Sequence, residues 1–240
     1  MRILLGLAIV LAARAAPAHA LCIQSGLAPE VLTTRDTTLP PDGGVLVGWT
    51  SKSGVQEDPN DPSNQPTWTA TDGKQAIALK RVSLAPGLSV YLAAGAGPMI
   101  LKPKKGPPLG TFKRDPKLAK STLGAPRPKT LTLASEEIRR GRRTRAVAEL
   151  LAAPPSLAMA VIVYRVVGDT PTALSFARLP DTHDTLTALD VFEDAGRCTG
   201  LPAGSVPPNA GDRIALAWVD AFGRVSPLSA VITAKEGARW

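Results

Sequence analysis

Residues 213–234 read RIALAWVDAFGRVSPLSAVITA, and the parsing of this stretch decides the fold. Ile214, Leu216 and Trp218 recur at every second position, the spacing that puts side chains on one face of a strand. Asp220-Ala221-Phe222-Gly223 follows, with Asp first and Gly last, as a type I turn favours. Pro227 lacks a backbone N–H, so it marks the returning strand as an edge or a bulge. Ala230 to Ala234 resume that strand. A terminal hairpin of this kind completes one sheet of an all-β domain.

Working outward, strand signals dominate. AMAVIVYRVV, 158–167, is a β-branched run ending at Gly168-Asp169 and predicts a buried central strand. ALSFARL, 173–179, alternates. DTLTALDVF, 184–192, reads as a strand, with a short helix as the alternative. In the first half, Val45, Val47 and Trp49 alternate directly after the turn residues 40–44. PTWTATDGKQAIALKRV, 66–82, places Asp72-Gly73 between two alternating runs, as in a two-residue type I′ hairpin. LAPGLSVYLA, 84–93, predicts a turn and then a strand, and LGTF, 109–112, closes the first sheet. Residues 51–65 form a polar loop. SEEIRRGRRTRAVAELLAAPP, 135–155, is ambiguous. Ser135 before two glutamates has the form of a helix start, yet Gly141 interrupts it, and a strand is expected from about Arg143 to Leu151.

RIALAWVDAFGRVSPLSAVITA resembles the last two strands of a fibronectin type III or bacterial immunoglobulin-like domain. An alternating strand is followed there by a Gly-containing loop and a Ser-x-x-Ser strand, here Ser226 and Ser229. Ile214 stands where that family usually carries a tyrosine. The first half, with Pro-Asp-Gly before a strand, is similar to bacterial Ig-like modules of exported proteins. The resemblance implies two antiparallel β-sandwich (Ig-like/fibronectin III-like) domains and says more of fold than of function. The division expected is a signal peptide at 1–20, an Ig-like domain at 21–115, a basic Pro-rich linker at 116–130 and a second sandwich at 131–240.

The N-terminus, MRILLGLAIVLAARAAPAHA, carries Arg2, an apolar run from Ile3 to Ala13 and the small-x-small site Ala18-His19-Ala20. That is the pattern of a cleaved secretory signal peptide, too short to span a bilayer. Export to the periplasm, the cell surface or the extracellular medium is therefore expected, with no transmembrane segment in the mature chain. Twenty-three prolines among 240 residues disfavour long helices and suit short strands bounded by turns. Cys22 and Cys198 are the two cysteines, and an oxidising compartment predicts that they pair. Closing so long a loop would stabilise by about 5 kcal/mol in the chain-entropy model.

Chemistry is harder to find. After cleavage His183 is the one histidine, flanked by Asp181 and Asp184 in DTHDT. Three near-consecutive ligands point to opposite sides of a strand, so a solvated turn is expected there rather than a metal site. Gly87-x-Ser89 continues into Tyr91 where a nucleophile elbow needs glycine, and GAGPMI, 95–100, lacks the last glycine of a dinucleotide fingerprint. No enzyme, metal or cofactor is therefore expected. A cryptic hydrolase using His183 is a lower alternative, and a carbohydrate module stacking on Trp49 or Trp68 is placed lower still, because a Trp in an alternating strand is more often core.

The charge map is more telling. The chain carries 28 Lys and Arg against 20 Asp and Glu, and 14 of the 28 fall within residues 102–145 beside only Asp115, Glu136 and Glu137. That segment is +11 (14 − 3). Removing 1–20 takes away Arg2 and Arg14, so the mature chain is +6 (26 − 20) and the remainder −5 (6 − 11). Such a run either keeps a linker solvated or docks on an anionic surface. For docking on lipid, lipopolysaccharide or glycan the candidates are Lys102, Lys104, Lys105, Lys113, Arg114, Arg139, Arg140, Arg142 and Arg143. Nucleic acid is disfavoured by export and by the lack of aromatics in the segment beyond Phe112. The expected role is non-catalytic: structural, adhesive or protein-binding at the cell envelope, the partner being an envelope protein or an anionic surface.

Overall fold

The structure, a computed structural model, describes residues 25–33, 37–40, 43–53, 69–71, 74–93, 99–102, 110–115, 117–118, 123–138, 141–183, 185–194 and 204–237. Among them the protein is all-β, with sixteen strands and no helix. Residues 1–20, where a signal peptide is expected, and both cysteines lie outside the described residues.

The N-terminal half holds β1 (Ser25–Val31), β2 (Thr38–Leu39), β3 (Val45–Ser53), β4 (Thr69–Thr71), β5 (Ala76–Ile77), β6 (Leu79–Ala85), β7 (Leu88–Ala93), β8 (Met99–Lys102) and β9 (Gly110–Arg114). They form two sheets, ordered β1-β3-β7-β6 and β2-β9-β8-β4-β5. Leu39, Val45, Val47, Met99, Leu101 and Phe112 fill the core of this half. The Pro86-Gly87 turn joins β6 to β7, and Gly87 has φ 74°, the left-handed value a type II turn needs after proline. The expected two-residue turn at Asp72-Gly73 lies outside the described residues. Thr71 pairs with Ala76, so four residues connect β4 to β5.

The C-terminal half holds β10 (Pro128–Ile138), β11 (Gly141–Leu150), β12 (Ala158–Val167), β13 (Thr170–Arg178), β14 (Ala188–Asp194), β15 (Arg213–Asp220) and β16 (Ile232–Glu236). The order is β13-β12-β15-β16-β10-β11-β14. β16 runs antiparallel to β15 and parallel to β10, so it ties two layers into one sheet. β13 and β14, at the two ends, approach each other, and the sheet nearly closes on itself. Trp218, Leu216, Ile214, Leu131, Val161 and Phe192 fill its interior.

β10 corrects the sequence reading. The expected linker ends earlier, because a strand begins at Pro128, and the helix start at Ser135 does not form. Register explains why extension wins. Glu136 lies opposite Arg143 and Glu137 opposite Arg142 in the β10–β11 register, so the stretch gains ladder partners from β11.

The terminal hairpin follows its parsing through Trp218 and then departs from a ladder. The carbonyl of Asp220 accepts from Gly223 N at 3.1 Å, and its Oδ1 accepts from Phe222 N at 2.9 Å. Beyond the turn, residues 226–231 leave β geometry yet still run beside β15. Ser226 Oγ accepts from Trp218 N and Ser229 Oγ from Leu216 N, both at 2.9 Å. Each serine also donates its own N–H to the carbonyl of the same β15 residue, at 2.9 and 2.8 Å. The hydroxyls thus stand in for strand carbonyls where Pro227 has broken the ladder. Ser226→Ala strands the buried Trp218 N–H and is expected to cost about 1–3 kcal/mol, read as a lower urea midpoint at unchanged slope.

A third apolar cluster joins the halves. Leu32, Leu46, Ala85 and Leu88 of the first half pack with Ala160, Ile162 and Val219 of the second. β3 thereby buries Val45 and Val47 in its own core and Leu46 against its neighbour. β12 does likewise, with Val161 and Val163 turned inward and Ala160 and Ile162 turned outward. A Cβ at Gly48 would come within 3.1 Å of the Phe176 ring, so glycine there admits close approach of β13's aromatic side chain.

The turn after β15 completes the junction. Gly44 N donates to Phe222 O at 2.9 Å. Thr33 Oγ1 accepts from Leu46 N at 2.7 Å and donates to Ala221 O at 2.5 Å. Phe222 packs against the first half's core, under the Arg224 guanidinium at 5.3 Å. At the rim, Arg178 Nη1 meets Glu30 Oε1 at 2.9 Å. The hairpin is a latch between the two halves.

Candidate functional site

The residues singled out for docking do not form one described patch. Lys104, Lys105, Arg139 and Arg140 lie outside the described residues. Lys102 and Arg142 fall within β8 and β11, on different sheets. Lys113 is exposed on β9, beside a half-buried Arg114. Arg143, on β11, is ion-paired with Glu193 of β14. Next to it, Asp190 accepts from both Nε and Nη2 of Arg145, and that hydrogen bond holds the Arg145 guanidinium charged even more firmly than usual.

Geometry gathers instead at one end of the C-terminal half, where three connections meet: 123–127 before β10, 151–157 between β11 and β12, and 179–187 between β13 and β14. Leu150 N donates to Thr187 O at 2.7 Å and Leu151 N to Arg127 O at 2.8 Å. Ala158 N donates to Pro155 O at 2.9 Å and closes a turn with Ser156 and Leu157 at its tip. His183 sits beneath this end, only 6% exposed. Its Nδ1 lies 2.8 Å from Pro180 O and its Nε2 3.0 Å from Pro155 O. The ring is a strut between two proline carbonyls, with one nitrogen against each. Asp181 points away, ion-paired with Arg178 at 3.3 Å. No cluster of three metal-ligating side chains occurs among the described residues.

Trp49 is buried at 6% exposure, where a sugar cannot stack on it, and Trp68 lies outside the described residues. Burial pushes the hydroxyls of Tyr91 and Tyr164 above the ordinary tyrosine range, with Arg81 partly offsetting the effect at Tyr91. These are the chain's two tyrosines. The folded protein therefore holds both phenol protons to higher pH than the unfolded chain does. Their contribution is intact below pH 10.0, the unfolded value, and is lost as pH rises beyond it. Thermal unfolding followed from neutral to alkaline pH should show that decline, with phenolate absorbance lagging that of free tyrosine.

Sequence reasoning passed over Thr33, Phe222 and the 151–157 loop. The loop's signal was present: from Leu150 to Tyr164 the chain carries no charge. Thr33 has no local signal, because its two partners, Leu46 and Ala221, lie 13 and 188 positions away.

No family model matches the chain, and no curated protein matches it. Among solved structures it is similar to a glycoside hydrolase domain of Endo-D from Streptococcus pneumoniae R6, with 11% identity and a TM-score of 0.27. The match covers 80% of this chain and 31% of that one, so the chain spans about a third of the length of that structure. A TM-score that low carries no argument about fold or activity.

Proposed function

We propose that the protein is an exported, non-catalytic component of the cell envelope, built from two Ig-like sandwiches and serving a structural, adhesive or protein-binding role. The strand order carries this reading. Lettered as in an immunoglobulin domain, β1-β3-β7-β6 is A-B-E-D, and β4-β8-β9 is C-F-G. In the second half β10-β11-β14 is A-B-E and β12-β15-β16 is C-F-G, with β13 added beside C. Two such modules locked face to face make a rigid spacer. The apolar run and Ala18-His19-Ala20 support export, and among the described residues no helix is long and apolar enough to cross a membrane.

The test is to express the tagged full chain in a bacterium, fractionate the cells and measure the intact mass. Processing at Ala20-Leu21, and a specific cross-link to one envelope partner in the exported fraction, are expected. An unprocessed cytosolic chain contradicts export, and a processed chain with hydrolytic turnover that disappears in His183→Ala contradicts the non-catalytic role. The same mass, taken after alkylation without reductant, tests the Cys22–Cys198 bridge, because two modified thiols would exclude it.

A second reading is attachment to an anionic surface. The +11 charge of residues 102–145 supports it.

A further inference from the structure

We propose that the apolar loop 151–157, with Arg127 and Lys129 beside it, is a membrane-contact tip that seats on an anionic bilayer. The inference rests on the envelope location proposed above, since only there does the chain meet such a surface.

Leu151 is 60% and Leu157 54% exposed, on a loop reading LAAPPSL with no charged residue. A loop that merely wandered into water would explain such exposure, but this one is held. Leu151 N and Ala158 N are both hydrogen-bonded, Pro155 O receives the turn bond and the His183 ring, and Pro154 is buried beneath. The fold thus fixes two leucines outward on a preorganised tip.

The same features suit the loop to the lipid boundary. A polar backbone group taken out of water must find a partner within the protein. Here the two prolines have no N–H, and the N–H groups at both ends of the loop are already engaged. A shallow apolar insertion of this kind reaches the boundary between headgroups and acyl chains.

Charge selects the surface. The stretch Ala125-Pro126-Arg127-Pro128-Lys129 buries its prolines and exposes Arg127 and Lys129. Arg127 is tied to the loop by its own carbonyl and has no ion pair among the described residues. Lys129 faces Glu149 at 3.8 Å, with both side chains more than half exposed, so that contact exchanges readily for a lipid phosphate. In the adjoining 179–187 connection, Asp181 is partnered by Arg178. Two leucines ringed by Arg127 and Lys129 match an anionic headgroup layer better than a neutral apolar pocket.

The test is co-sedimentation of the mature chain with vesicles of phosphatidylcholine alone or mixed with phosphatidylglycerol, for wild type and three variants. Retention on the anionic vesicles should fall about tenfold in L151S/L157S and about fivefold in R127Q. V167S, which alters a 69% exposed valine at the far end of β12, should leave it unchanged. Circular dichroism matching wild type keeps each comparison valid. No retention of wild type on anionic vesicles overturns the proposal, as does equal retention on neutral ones. Salt-sensitive retention that survives L151S/L157S also overturns it and returns the contact to the basic segment, leaving export untouched.

Discussion

Ile162→Ala is expected to destabilise the protein by about 3 kcal/mol, and to do so in both halves at once. Ile162 is fully buried, yet it lies outside the core cluster of its own half. Its neighbours on the far side, Leu46 and Leu88, belong to the other half. Truncation leaves a cavity between two sheets whose backbones are fixed by their own ladders, so the site cannot collapse to fill it. Trp49 and Trp218, one in each half, are both buried. The urea midpoints of the two halves should move together in this variant. A shift confined to the second half would mean that the contact contributes little.

Gly223→Ala is expected to cost about 3 kcal/mol by a different route. Gly223 has φ 76°, and a Cβ there would lie 2.4 Å from Val90 Cγ2 and 2.6 Å from Val90 Cβ. Val90 sits on a central strand of the first half and has little room to retreat. The left-handed backbone alone accounts for about 1–2 kcal/mol of the loss, and the clash across the junction supplies the rest. Gly211→Ala separates the two terms: its φ is 88°, but nothing lies within 4 Å of the added carbon. Melting temperature should therefore fall clearly further for Gly223→Ala than for Gly211→Ala. Equal shifts would mean that Val90 yields and the latch is loose.

Much of the strand pattern was legible in the residues, because alternation and turn chemistry are local. AMAVIVYRVV is β12 residue for residue, and Asp220 to Gly223 form the turn their identities favour. β10 escaped because its charges mimic a helix cap, and only pairing with β11 sets Glu136 and Glu137 across from arginines.

The junction was written in the sequence in a form that needed the structure to read. Antiparallel strands ordinarily alternate, with one face wet. β12 and β15 instead carry nearly unbroken apolar runs, and in β3 the residues from Val45 to Trp49 are all buried. Such strands need cover on both faces, but nothing local says what supplies it. The latch hydrogen bonds are less legible still. Ala221 O and Phe222 O are ordinary carbonyls whose partners, Thr33 and Gly44, arrive from the other end of the chain. The candidate contact tip was half visible, as an uncharged stretch, while the histidine strut beneath it depends on two loops meeting.

Equilibrium urea unfolding of the purified protein, followed by tryptophan fluorescence and checked by calorimetry, tests the shared core most directly. One cooperative transition is predicted, shifted as a whole by Ile162→Ala, with calorimetric and van't Hoff enthalpies in agreement. Two resolved transitions, one of them indifferent to Ile162→Ala, would contradict it.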